Sequence, residues 1–108
     1  MAKYLVLYRS TATAADQMGA TPEQVQEGMQ LWMKWAEKAG KSLVDLGAPL
    51  DKSQLVGGKG DAGTPIGGFS ILEADSEAAV GDLLSDHPHL HAPGAVIEVL
   101  EFQAIPGM

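Results

Sequence analysis

The chain contains no cysteine. Disulfides, thiolate nucleophiles and cysteine-based zinc sites are therefore excluded. Basic residues are scarce: seven Lys plus Arg face fourteen Asp plus Glu, a formal charge of −7. Such a chain lacks the basic footprint of a nucleic-acid binder and has little attraction for an anionic membrane surface. Long apolar runs are missing too. The apolar start, Tyr4-Leu5-Val6-Leu7-Tyr8, is too short for a signal peptide or a membrane span, so the expectation is a cytoplasmic protein with no membrane contact. With 108 residues, 45% of them hydrophobic, the chain has the material for one domain, residues 1–108, with a modest core.

The patterning predicts six elements. Residues 3–9 read as a first strand that is apolar on both faces, and residues 10–20 as a loop rich in small residues. Thr21-Pro22-Glu23-Gln24 is a helix start: Thr21 caps, Pro22 suits the first helical position and Gln24 completes a capping box. The helix runs to residue 39, with Val25, Met29, Trp32, Ala36 and Ala39 on its core face, Gly28 and Trp35 flanking them, and Gly40 as the stop. A short strand over residues 42–47 ends or bends at Gly47-Ala48-Pro49. Residues 51–64 read as an exposed loop or hairpin; Gly57-Gly58-Lys59-Gly60 within it lacks the spacing of a phosphate-binding loop. A third strand spans residues 66–74, where Gly67-Gly68 permits a bulge or a close backbone approach. A second helix, residues 76–86, begins at an Asp75 or Ser76 cap and stops before Pro88, and residues 95–102 form the last strand, followed by a tail.

The order strand-helix-strand-strand-helix-strand gives an α+β, ferredoxin-like βαββαβ sandwich with both helices on one sheet face. The first and last strands are apolar on both sides, so the other face needs a cover. A second copy of the chain is the simplest one, which predicts a homodimer packed sheet to sheet around a barrel-like interior. An Asp at Val6 or Val99 is expected to weaken or abolish it, or, where that valine's face looks to the helices, to unfold the monomer. Asp45, Glu73, Glu98 and Glu101 interrupt these apolar strands, and at least one of Glu98 and Glu101 must face a covered surface. A buried carboxylate costs several kcal/mol unless it is paired; Arg9, Tyr4 and Tyr8 are the natural partners.

All three histidines lie within five residues, in Ser85-Asp86-His87-Pro88-His89-Leu90-His91. Histidine is the side chain most easily tuned to move protons near neutral pH. Continuing the second helix's core spacing by one turn brings His87 to its buried side, where the helix dipole and Asp86 would raise the imidazole pKa. His89 follows Pro88 into the same cleft, and His91 is expected in solvent. Asp86, His87 and His89 are thus the catalytic candidates for acid–base work. Arg9, suited to a substrate carboxylate, and Ser70 are the substrate-binding candidates. Catalytic roles predict that Asp86→Asn or His87→Ala removes activity and leaves the melting temperature within a few degrees.

The chain resembles the YCII-related (DGPF-domain) proteins. The resemblance is carried by Lys3-Tyr4-Leu5-Val6-Leu7-Tyr8, by the helix from Thr21-Pro22-Glu23 to Trp32-Met33-Lys34-Trp35, and by Leu43-Val44-Asp45-Leu46-Gly47-Ala48-Pro49-Leu50. Ile66-Gly67-Gly68-Phe69-Ser70-Ile71-Leu72-Glu73-Ala74, Asp86-His87-Pro88-His89-Leu90 and Ile97-Glu98-Val99-Leu100-Glu101-Phe102 extend it along nearly the whole chain. It implies a dimeric α+β barrel. It also implies an Asp-His pair in a cleft, in a family that is mostly uncharacterised and in which one relative eliminates halide from a chlorinated muconate. Asp86 matches the family's Asp of an Asp-Pro segment, although His87 is inserted before Pro88. The family's histidine lies in the first helix, and residues 29–35 contain none. The Asp-Gly-Pro-Phe signature is altered as well, to Asp61-Ala62-Gly63-Thr64-Pro65-Ile66. The expected function is a small cofactor-independent enzyme, of lyase, isomerase or dehydrohalogenase type, acting on a small organic acid or carbonyl compound. The alternatives are a non-catalytic ligand-binding or regulatory module and, more weakly, a metal protein using the alternating histidines.

Overall fold

Local sequence signals set where the elements begin and end. The computed structural model describes residues 2–11, 21–50, 54–57, 65–92 and 94–104. Residues 12–20 of the loop expected over 10–20, residues 51–53 and 58–64 of the one expected over 51–64, with most of the glycine-rich Gly57-Gly58-Lys59-Gly60 run, and the tail from residue 105 lie outside them. The elements are β1 (Ala2–Arg9), α1 (Pro22–Ala39), β2 (Leu43–Asp45), β3 (Ile66–Ala74), α2 (Glu77–Leu84) and β4 (Val96–Glu101), with 3-10 turns at Gly40–Ser42 and Pro88–His91. The capping box at α1 forms: the Gln24 N–H donates to Thr21 Oγ1 (3.1 Å) and the Thr21 N–H to Gln24 Oε1 (2.9 Å). At α2, Ser76 Oγ accepts from the Ala79 N–H (3.2 Å).

The sheet is antiparallel, ordered β2-β3-β1-β4. This is the ferredoxin-like order, and both helices pack on one face, as expected. Tyr4, Val6 and Tyr8 of β1 and Ser70, Leu72 and Ala74 of β3 turn inward to meet Trp35, Ala39, Val80 and Leu84 of the helices. Leu72, Val6 and Val80 are fully enclosed, each worth about 1.5–3 kcal/mol of apolar burial.

Two glycine segments behave as expected. The register between β1 and β3 shifts between Tyr8 and Arg9, opposite Gly67-Gly68. Gly47 has φ 82°, and a Cβ there would lie 1.7 Å from the Phe69 carbonyl oxygen, so only glycine lets β2 cross β3 this closely. Asp45 fixes that turn by accepting the Gly47 N–H at 2.8 Å.

One expectation changes and one open alternative is decided. Val25 and Met29 are more than half exposed. Of the expected stripe, Trp32, Ala36 and Ala39 face the core, joined by the flanking Trp35, and α1 meets the core only from Trp32 onward. Val6 and Val99 face each other on the helix side, so an Asp at either attacks the monomer's core. The open face carries Leu5, Leu7, Phe69, Ile71 and Leu100. Glu98 lies among them and takes Arg9 Nε at 2.9 Å, the partner expected for it, while Glu101 sits exposed at the end of β4.

Candidate functional site

α2 ends at Leu84, but the chain keeps a helical sense for one more turn, and the His87 N–H donates to the Leu84 carbonyl at 3.1 Å. That turn delivers the His87 side chain to the buried side, as the helical spacing implies. The ring has no solvent exposure. It stacks on Tyr8 with centroids 4.8 Å apart and meets Trp32 and Trp35 edge-on at 4.4 Å each. Its Nδ1 accepts the His89 N–H at 2.9 Å, capping the 3-10 turn that Pro88 begins. An accepting Nδ1 puts the proton of the neutral ring on Nε2. Nε2 is buried and has no hydrogen-bond partner among the described residues.

This cage reverses the expected titration of His87. Its pKa falls from 6.5 to about 4, mainly because burial penalises the charged ring, and His89 lowers it further. Asp86 acts in the expected upward direction but is outweighed. The helix dipole fades within the last turn, and α2 ends three residues earlier. His87 is therefore neutral at pH 7.

Asp86 points elsewhere. Its carboxylate accepts from Lys38 Nζ at 2.6 Å, with both side chains more than half exposed, and that bond holds its pKa below the usual value. The residue of α1 that meets Asp86 is thus a lysine, where the resemblance implies a histidine.

His89 is half-buried beside Tyr8, with ring centroids 5.3 Å apart. Its Nε2 lies 2.8 Å from the backbone carbonyl oxygen of Arg9. A carbonyl only accepts, so Nε2 carries the proton and Nδ1 carries a lone pair in the neutral ring. Nδ1 has no hydrogen-bond partner among the described residues. Of the three sequence candidates, His89 alone combines partial access, a fixed ring and an available basic nitrogen.

The two substrate-binding candidates are placed differently. The Arg9 guanidinium reaches Glu98 on the open sheet face, across the sheet from Tyr8 and the helices. Ser70 has no exposure; it accepts from the Tyr8 hydroxyl at 2.9 Å and donates to the Leu46 carbonyl at 2.7 Å, tying β1, β3 and the end of β2 together. Burial raises the Tyr8 pKa, so the phenol keeps the proton it donates. Among the described residues no group of three or more His, Asp or Glu side chains is placed to hold a metal ion. No helix among them is long and apolar enough to cross a membrane.

Sequence reasoning did not foresee the aromatic cage, the Lys38 partner of Asp86, or the capping role of His87. Trp32 and Trp35, three residues apart on a helix, together with a histidine followed by proline, were the available signals.

The fold and site together define a ferredoxin-like α+β protein with a histidine-bearing turn packed on its first strand. No family model matches the chain, and no curated protein matches it. Among solved structures it is similar to 5-chloro-2-hydroxyhydroquinone dehydrochlorinase (TftG) from Burkholderia phenoliruptrix AC1100, in complex with 2,5-dihydroxybenzoquinone. The TM-score is 0.48 at 17% identity, over 88% of this chain and 90% of that one. The overlap is too loose, and the sequences too different, for residue roles to pass from one to the other.

Proposed function

We propose that this protein is a small acid–base enzyme of lyase, isomerase or dehydrohalogenase type, acting on a small organic acid or carbonyl compound, with His89 as its base. The observation that carries this reading is the hydrogen bond from His89 Nε2 to the Arg9 carbonyl, which fixes the ring and leaves Nδ1 to take a proton. Nδ1 would remove a proton from carbon next to a carbonyl, and the electron pair would move to the neighbouring atom. The resulting enolate would form a C=C bond as a leaving group departs from the β carbon with its electron pair, or would take the proton back from His89 at a different carbon. The Arg9 carbonyl stabilises the imidazolium that forms. His87 is a positioning residue: its Nδ1 holds the His89 backbone, and its neutrality spares His89 a like charge.

Turnover by purified protein of a panel of small carbonyl acids and lactones tests this reading. Glutamine places an N–H near the position of Nε2 and lacks Nδ1, so His89→Gln keeps the bond to Arg9 and removes the base. General-base catalysis contributes about a hundred- to ten-thousand-fold, and a loss in that range is expected, with Asp86→Asn retaining turnover. Full turnover by His89→Gln would sink the assignment. Thermal-shift binding across the panel without turnover would mark a ligand-binding module instead.

The open sheet face supports a homodimer. Val96, Leu100 and Phe102 are 55%, 43% and 49% exposed, beside half-buried Leu5, Leu7 and Phe69. A contiguous apolar face of this kind on a small domain marks an interaction surface, and the Arg9–Glu98 pair within it is already self-neutralised. A second copy offers a matching apolar face. Leu100→Asp adds a charge where the monomer's fold does not depend on Leu100, so sedimentation should show a dimer for wild type and a monomer for the variant. A monomeric wild type at micromolar concentration refutes this assembly.

A further inference from the structure

A second feature lies on the far flank of the histidine turn. Leu31, Lys34, Trp35 and Lys38 recur at helical spacing and form one face of α1. Across from them stand Asp86, Pro88 and His91, and the two walls flank a half-open cleft of about 180 Å³. The 3-10 turn separates this cleft from the basic nitrogen of His89: Pro88 and His91 are three residues apart and share the side facing α1, whereas His89 faces β1.

The charges in the cleft run against those of the chain. Overall the protein carries −7, yet the cleft walls hold two lysines and one carboxylate. That carboxylate is committed to Lys38 at 2.6 Å. Lys34, one turn earlier, has no carboxylate within ion-pair distance among the described residues. The cleft therefore presents one unneutralised ammonium, a histidine at its rim and an apolar lining of Leu31, Trp35 and Pro88.

We infer that this cleft binds a small organic monoanion, with the anionic group on Lys34 and His91 and a flat apolar body against Leu31, Trp35 and Pro88. The volume is below the ~300 Å³ at which drug-sized pockets begin, so the occupant is a single ring or a short chain. Asp86 disfavours a second negative charge. The inference is independent of the His89 reading, since no proton transfer is involved.

The probe is benzoate, titrated into the full chain at pH 7 and followed by backbone and indole amide NMR shifts. Saturable shifts are expected at Leu31, Lys34, the Trp35 indole and His91, with a dissociation constant in the millimolar range. Benzamide, of the same shape without the charge, should bind at least ten-fold more weakly. Lys34→Glu and Lys34→Gln should each weaken benzoate at least ten-fold, and Lys41→Glu, outside the cleft, should not. His89→Gln should bind benzoate as wild type does, which separates this site from the proposed base. Shifts that do not saturate, equal binding of benzamide, or an unchanged affinity in both Lys34 variants would overturn the inference.

Discussion

The buried, uncharged His87 makes a specific prediction about acid stability. In the unfolded chain its imidazole titrates near 6.5; in the folded protein it titrates near 4. Above pH 6.5 the ring is neutral in both states and contributes nothing to the pH dependence. As pH falls from 6.5 to 4, the unfolded state takes up a proton that the folded state refuses, so stability drops through that window and the effect is complete below 4. The gap is about 2.5 pH units, and one unit corresponds to 1.36 kcal/mol, so the loss is of order 3 kcal/mol. That is a large part of the ~5–15 kcal/mol typical of a domain. Carboxylates also protonate in this range, and a comparison removes their contribution. His87→Asn does not titrate and retains an acceptor for the His89 N–H. Urea unfolding of both proteins between pH 4 and 8 should show wild type ahead at pH 7, with its advantage shrinking by about 3 kcal/mol at pH 4. The His87 ring resonances should show a neutral Nε2–H tautomer down to nearly pH 4. Parallel stability curves, or a His87 midpoint near 6.5, would falsify the caged-histidine account.

The remaining predictions concern the same framework. His87→Ala should lower the melting temperature by more than about 10 °C, because it opens a cavity and orphans the His89 N–H, together worth about 3 kcal/mol or more; this replaces the sequence-based expectation of a few degrees. Ser70→Ala leaves the Leu46 carbonyl and the Tyr8 hydroxyl without their buried partner, so a loss of about 1–3 kcal/mol is expected in denaturant unfolding. Gly47→Ala should destabilise by more than the ~1 kcal/mol of ordinary left-handed strain, because its Cβ overlaps the Phe69 carbonyl, and wild-type stability for this variant would contradict the crossing of β2 over β3.

Much of the fold was legible because its signals are local. Thr21-Pro22-Glu23-Gln24 fixes the start of α1 and Gly40 its end, and both agree with the structure. Strand β3 runs over residues 66–74 as read, since alternation and flanking punctuation suffice there. The buried face of α1 agrees with the sequence pattern at Trp32, Ala36 and Ala39 and departs from it at Val25 and Met29. How much of a helix's apolar stripe is buried depends on where the sheet lies beneath it; Trp35, on the flank of that stripe, is buried, whereas Met29 is exposed. Likewise the pattern of β1 and β4 is apolar on both faces and does not show which valines meet the helices. That choice is made by the twist and handedness of the packed layers, which no single strand encodes.

The site was legible as a place but not as a set of roles. Spacing brings His87 inward, and no signal in Asp86-His87-Pro88 states that two tryptophans and a tyrosine wait there. Once the ring is enclosed, desolvation exceeds the attraction of a solvent-exposed carboxylate whose charge is screened by water and neutralised by Lys38. The neighbouring histidines inherit different work from the same backbone turn. His87 holds the turn by accepting the His89 N–H. His89 is then aimed at the Arg9 carbonyl, which leaves one nitrogen of its ring without a partner among the described residues. His91, a turn further on, reaches the cleft wall. Three identical side chains within five residues thus divide into a buried cap, a half-buried ring held on the Arg9 carbonyl and an exposed ring at the cleft wall, and the division follows from where the 3-10 turn sits between α1 and β1.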